Sequence, residues 1–207
     1  MYGVVRIYKM KSAGDIAKVA EIVRTGFLPI VSNAPGYVAY TLAVAAGGEL
    51  VTVGFFKDRA SAEESTRLAA DWVRDNLAWS VEGPPKIATG EVRIQEVRDG
   101  DATYGTMRRG KVQPGKMKEA LDRIKGKLVP LLSASPGFVR AAFLEVGSDE
   151  FLSVAAWRDR ASADEATRRA MALMQEQGDV ISGPPEMLDA EIKLHDVNEA
   201  ALQQTLG

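Results

Sequence analysis

The chain repeats itself, and this limits its fold more than any other feature. Asp58 to Arg67, reading Asp-Arg-Ala-Ser-Ala-Glu-Glu-Ser-Thr-Arg, returns as Asp159 to Arg168, reading Asp-Arg-Ala-Ser-Ala-Asp-Glu-Ala-Thr-Arg. Ser32-Asn33-Ala34-Pro35-Gly36-Tyr37-Val38 returns as Ser133-Ala134-Ser135-Pro136-Gly137-Phe138-Val139, and Gly83-Pro84-Pro85 returns as Gly183-Pro184-Pro185. Matches in one order at a near-constant offset mean a duplicated unit whose copies should fold alike. The copies span 1–98 and 103–200, joined by a short polar linker around Arg98-Asp99-Gly100-Asp101-Ala102.

Each copy carries the same periodicities. Val4–Met10 and Thr106–Val112 read as first strands. Ile16, Val19, Ala20, Val23, Phe27, Ile30 and Val31 follow at helical spacing, and Met117, Ala120, Leu121, Ile124, Leu128, Leu131 and Leu132 repeat the stripe. A Pro-Gly pair breaks each helix. Tyr37–Ala45 with Leu50–Phe56 predicts a hairpin, as does Phe138–Val146 with Phe151–Trp157. A second helix is expected from Ser61 to about Val81 and from Ser162 to about Ile181, each serine opening a capping box. Glu91–Val97 and Glu191–Val197 complete the pattern as fourth strands. The order β-α-β-β-α-β is a ferredoxin-like split βαβ unit.

Tyr40–Val44 and Ala141–Leu144 carry apolar residues on both alternating faces. A sheet covered on one face alternates apolar with polar, so these strands predict burial on both faces. Helices account for one face and the sister copy for the other. The expected class is therefore α+β, with two ferredoxin-like β-α-β-β-α-β repeats forming a single-chain dimeric α/β barrel.

The residues resemble those of the dimeric α/β-barrel superfamily, particularly antibiotic biosynthesis monooxygenase (ABM)-like domains. The likeness rests on Pro35-Gly36-Tyr37 with Phe56-Lys57-Asp58, and on Pro136-Gly137-Phe138 with Trp157-Arg158-Asp159. It implies a small-molecule-binding barrel, with cofactor-independent oxygenation of an aromatic substrate as one activity of the family. Other members degrade haem, isomerise lactones or have no assigned reaction. Departures narrow this. Members often carry a histidine early in the second helix, where this chain has Ser65 and Ala166. Haem-degrading members place an asparagine in the first strand, where Arg6 and Arg108 stand, and His195 does not map onto their axial ligand. No cofactor is expected.

With Lys+Arg 26 against Asp+Glu 28, no basic field invites nucleic acid or anionic membrane. No apolar run is long enough for a membrane span, and the N-terminal residues lack signal-peptide zones. The absence of cysteine removes thiolate chemistry and fits a cytoplasmic setting. One histidine is too few for a multi-histidine metal site, and no metal ligands are expected. The expected partner is a small hydrophobic or aromatic molecule, with or without an anionic group. The pseudo-dimer lies within one chain, with a homodimer as a further possibility.

Candidate pocket residues each have a structural alternative, and no catalytic residue is assigned. Arg6 and Arg108, in equivalent central strands, either clamp an anion between sheet and helices or pair with a strand carboxylate, Glu91 or Glu191. Trp72 and Trp79, on the second helix with Leu68, Val73 and Leu77, form a flat aromatic pocket or ordinary core, as do Met171, Leu173 and Met174 in the second copy; Tyr40 is a further pocket candidate. His195, opposite Gln95 in the alignment, is a general base or a structural side chain. Arg109 and Arg140 lack counterparts, so the two pockets are expected to have diverged. A non-catalytic ligand-binding or stress-related barrel, or a structural one with its pockets filled by its own side chains, is the alternative to a monooxygenase.

Overall fold

The computed structural model describes residues 1–175 and 179–205. Each copy folds as the repeat predicts. The first gives β1 (Tyr2–Lys9), α1 (Ile16–Ile22), α2 (Leu28–Ser32), β2 (Tyr37–Ala45), β3 (Glu49–Phe56), α3 (Arg59–Asn76) and β4 (Lys86–Val97). The second gives β5 (Tyr104–Lys111), α4 (Met117–Arg123), α5 (Val129–Ser133), β6 (Phe138–Gly147), β7 (Glu150–Trp157), α6 (Arg160–Gln175) and β8 (Glu186–Val197). A last helix, α7 (Glu199–Gln203), was not foreseen; Asn198 caps it by accepting a hydrogen bond from the Ala201 amide.

The chain forms two compact units, Met1–Glu91 with Ala190–Gly207, and Val92–Asp189. In the first unit β1 lies between β3 and the first half of β4, in antiparallel register Arg6↔Thr52 and Arg6↔Ile87. There β2 pairs with β3 on one side and with the second half of β8 on the other, Ala39↔Val197 through Ala45↔Ala190. The second unit has the matching order, with β7 between β5 and β6. Each long strand thus serves its own copy with its first half and the other copy with its second. The eight strands run in one closed hydrogen-bonded order, β1-β3-β2-β8-β5-β7-β6-β4, the barrel that the sequence predicts. β2 is buried at nearly every position rather than at alternate ones.

Three sequence expectations need correction. The first helix of each copy is not one regular α-helix: Val23–Phe27 and Ile124–Leu128 are π-helical turns. The Leu28 amide reaches back to the Val23 carbonyl, and the Val129 amide to the Ile124 carbonyl. Pro29 and Pro130 explain this, since proline lacks an amide hydrogen and its ring collides with the carbonyl four residues earlier, so the turn widens. The second helices begin earlier than expected, at Arg59 and Arg160. The caps are Asp58 and Asp159, whose carboxylates accept from the Ser61 and Ser162 amides at 2.8 Å. They also end earlier: after Asn76 the chain turns, and Val81 makes an isolated bridge with Met10. The fourth strands then start just after the Gly-Pro-Pro turns, at Lys86 and Glu186. Gly36 and Gly137, at φ 74 and 72, make the break before β2 and β6. There a Cβ would stand 2.3 Å from the Ser61 or Ser162 hydroxyl, so these two positions demand glycine on two counts.

Candidate functional site

The space beside Tyr40 and Trp72, between sheet and helices, is filled in the first unit, and its counterpart in the second is open. In the first, Tyr8, Tyr40, Phe27 and Leu77 belong to one continuous buried cluster, with Trp72 packed against it. Phe27 meets Tyr40 edge to face at 5.8 Å and Trp72 at 5.3 Å between ring centroids. Trp72 fits because position 26 is glycine: a Cβ there would lie 2.8 Å from the indole. A space of about 20 Å³ is left, lined by Arg6, Tyr40 and Trp72 among others. That holds a water, not a ligand.

The second unit exchanges the large and small partners. Tyr8 and Leu50 are replaced by Gly110 and Phe151, Tyr40 and Leu42 by Ala141 and Phe143, and Gly26 and Trp72 by Lys127 and Leu173. Phe151 lies so close over Gly110 that a Cβ there would stand 2.6 Å from the ring. Trp157 replaces Phe56, and its indole N–H donates to the Thr106 hydroxyl at 3.2 Å, where the first copy has Val4. The exchange does not balance. Buried side chains form two separate clusters, one around Phe143 and Trp157 and one around Phe151 and Val180. A cavity of about 100 Å³ opens onto both.

The cavity walls are apolar, from Ile124, Leu128, Phe143, Phe151, Trp157, Leu173 and Met174. The π-helical turn supplies Ile124, Lys127 and Leu128, so the widened backbone shapes one wall. The charged lining residues are all cations, Arg108, Arg123 and Lys127; no carboxylate, histidine or tyrosine lines the cavity among the described residues. Arg123 is held by Glu119 and Asp179. Arg108 donates to the Asp189 carboxylate and to the Thr167 hydroxyl, the latter at 3.1 Å. The expected carboxylate partner of Arg108 was Glu191 or Glu91; it is Asp189, two residues earlier on β8.

The equivalent arginine of the first unit has no such partner. Asp189 aligns with Thr89, and no carboxylate pairs with Arg6 among the described residues. Arg6 is 2% exposed; its Nη2 donates to the Ser65 and Thr66 hydroxyls, both at 2.8 Å, and its Nε has no partner. Desolvation pulls its pKa below the ordinary arginine value, and burial raises those of Tyr8 and Tyr40. His195 lines neither space; its Nδ1 lies 2.7 Å from the Thr41 hydroxyl in the β2–β8 ladder of the first unit. The structure therefore brings Arg6, Tyr40 and Trp72 together, keeps Arg108 at the open cavity, and holds His195 apart. Arg109 pairs with Glu150. Sequence reasoning missed Asp189, Thr167 and Lys127. The pairs Asp189/Thr89 and Lys127/Gly26 stood in the repeat alignment as the signal.

Residues 103–173 match the sequence profile of the antibiotic biosynthesis monooxygenase family. The second copy is an ABM-like domain. The match falls on the copy with the open cavity. Among solved structures, a proposed monooxygenase from Fusobacterium nucleatum superposes with a TM-score of 0.76 at 13% identity, covering 95% of this chain and 94% of that one. Another proposed monooxygenase, from Lactobacillus acidophilus, gives 0.72 at 9% identity, covering 95% and 97%. An anthrone oxidase-like protein gives 0.63 at 14% identity, covering 95% and 92%. At such identities the likeness is one of fold, and it extends over both copies. No curated protein matches the chain. No helix among the described residues is long and apolar enough to cross a membrane.

Proposed function

We propose that the ABM-like second copy binds an apolar molecule of about one aromatic ring that bears an anionic group, and oxygenates it without metal or flavin. The supporting observation is the 100 Å³ cavity with apolar walls and only cationic charged lining residues. Such walls take a ring by burial, and Lys127, whose charge no ion pair among the described residues offsets, favours a phenolate or carboxylate on it.

Oxygenation of this kind uses the substrate's own carbanion as reductant. One oxygen atom enters the ring, the other leaves as water, and the substrate supplies all the electrons. The chain's contribution is orientation and exclusion of water, while Lys127 stabilises the anion on which the reaction depends. With no base in the lining, the substrate has to enter as its anion or lose its proton to solvent. That same observation supports a second reading, a ligand-binding barrel with no enzymatic activity. A cytoplasmic location fits either.

Calorimetric titration with gallate and benzoate tests binding, and an oxygen electrode tests turnover. We expect saturable binding of both and oxygen uptake with gallate alone. Ala141→Tyr, which copies the first unit's filling, should weaken binding at least tenfold, about 1.4 kcal/mol. Binding without oxygen uptake selects the second reading; binding that survives Ala141→Tyr refutes the cavity.

A further inference from the structure

The first unit, whose interior is filled, has a cleft elsewhere. It is a groove of about 520 Å³ between the second half of α3 and the Gly83-Pro84-Pro85 turn, with Arg6 and Tyr8 among its lining residues. Three cations line it, Arg6, Lys11 and Arg74, and no carboxylate does among the described residues. Arg74 is neutralised by Asp71 and Asp75 at the exposed surface. Lys11 donates to the Ala78 carbonyl at 2.8 Å, which leaves its charge uncompensated.

Arg6 is the decisive group. A buried guanidinium without a counter-ion is costly, and proteins retain one where a partner arrives from outside or a carboxylate stands beside it. The second unit has the carboxylate: Asp189 holds Arg108. The first unit has Thr89 there, paired across the ladder with Val4. Val4 and Arg6 share one face of β1, since they are two residues apart, so Thr89 lies on the face that Arg6 uses. The two hydroxyls that accept from Arg6 do not neutralise it; they also donate to the Ala62 carbonyl. They fix the guanidinium beside the cleft without supplying charge.

We propose that this cleft is a second ligand site, which takes a small polar oxyanion, a carboxylate or phosphate group, as the counter-ion that Arg6 lacks. Lys11 adds a second positive charge, so a dianion fits better than a monoanion. The site is independent of the apolar cavity and differs from it in chemistry, since its ligand is recognised by charge rather than by a ring.

Malonate and inorganic phosphate, titrated against chloride at constant ionic strength, are suitable probes because both are too polar for the apolar cavity. Wild-type protein should show a saturable, one-site rise in Tm with at least one of them, confirmed by calorimetry; which one responds identifies the group. Arg6→Met removes the cation and should weaken binding at least tenfold. Thr89→Asp supplies the carboxylate of the second unit and should weaken it as much while raising Tm in anion-free buffer. This variant keeps the test decisive if Arg6→Met fails to fold. Ala141→Tyr and Arg108→Met should bind the anion like wild type, which separates this site from the cavity. No saturable response in wild type, or undiminished binding by Thr89→Asp, overturns the proposal.

Discussion

The two copies share a backbone plan down to the π-helical turn, yet one closes its interior with aromatic side chains and the other keeps it open. Tyr8, Tyr40, Phe27 and Trp72 fill the first. Gly110, Ala141, Leu128 and Leu173 stand in their places in the second, and Phe143 and Phe151 restore only part of the lost volume. The arginines diverge in the opposite sense. Where the interior is open, Arg108 has its own carboxylate; where it is filled, Arg6 has none among the described residues. The two copies thus differ in what they offer a ligand, an apolar pocket in one and an unneutralised cation in the other. Close packing makes the first half of this contrast stable, because a filled interior tolerates few changes in volume.

The contrast can be broken most directly at its aromatic residues. Tyr40→Ala empties a position that is 2% exposed and should cost about 3–5 kcal/mol in urea unfolding. Leu173→Ala, at the wall of a cavity already open, should cost about 1 kcal/mol. Equal costs at the two positions would mean that the second interior is as tightly packed as the first. The next contrast lies in the π-helical turns. At Gly26 a Cβ meets the Trp72 ring at 2.8 Å, whereas at Gly126 nothing lies within 4 Å. Gly26→Ala should therefore lose about 1–3 kcal/mol by overpacking. Gly126→Ala, exposed and helical, should gain about 0.5–1 kcal/mol. A gain at both positions would show that Trp72 yields easily and that the filling is loose.

The parts of this fold that the sequence announced are those set by periodicity and by the repeat. Alternation and stripe spacing are local signals, and doubling them made the β-α-β-β-α-β order legible. Burial of both faces of β2 was legible too, from Tyr40–Val44, where apolar residues fall on both alternating faces with only Thr41 polar. Details that depend on competing local chemistry were misjudged. Ser61 and Glu64 suggested a capping box, but Asp58 is the stronger cap and starts the helix earlier. The π-helical turns were hidden because the apolar stripe looks the same at either helical pitch over so few turns; Pro29 and Pro130 were the clue. At the site, Arg6 and Arg108 were identifiable as charges on a central strand. Their partners were not, because side-chain reach across a ladder decides between Asp189 and Glu191, and the sequence alone does not fix the register of β5 with β8.

The smallest contrast concerns how the first helix of each copy is tied to the segment after the second helix. In the first copy Lys18 sits 4.4 Å from the centroid of the Trp79 ring, a cation–π contact with no group that titrates in acid. In the second copy the corresponding positions are Glu119 and Asp179, and Arg123 bridges them. Hydrogen bonding from Arg123 lowers the Asp179 pKa to about 2, below the ordinary aspartate range. A carboxyl whose pKa falls on folding adds stability above its unfolded pKa of about 4, and that stability is lost as pH drops towards the folded value. Asp179 is largely exposed, so salt and solvent keep the effect small. Asp179→Asn should lower Tm slightly at pH 6, and the difference from wild type should shrink below about pH 4 and vanish near pH 2. Trp79→Leu should lower Tm by an amount that does not change over the same range. If the Asp179→Asn difference instead persists undiminished at pH 2, Asp179 contributes through packing or polarity rather than through its charge, and the two ties are equivalent.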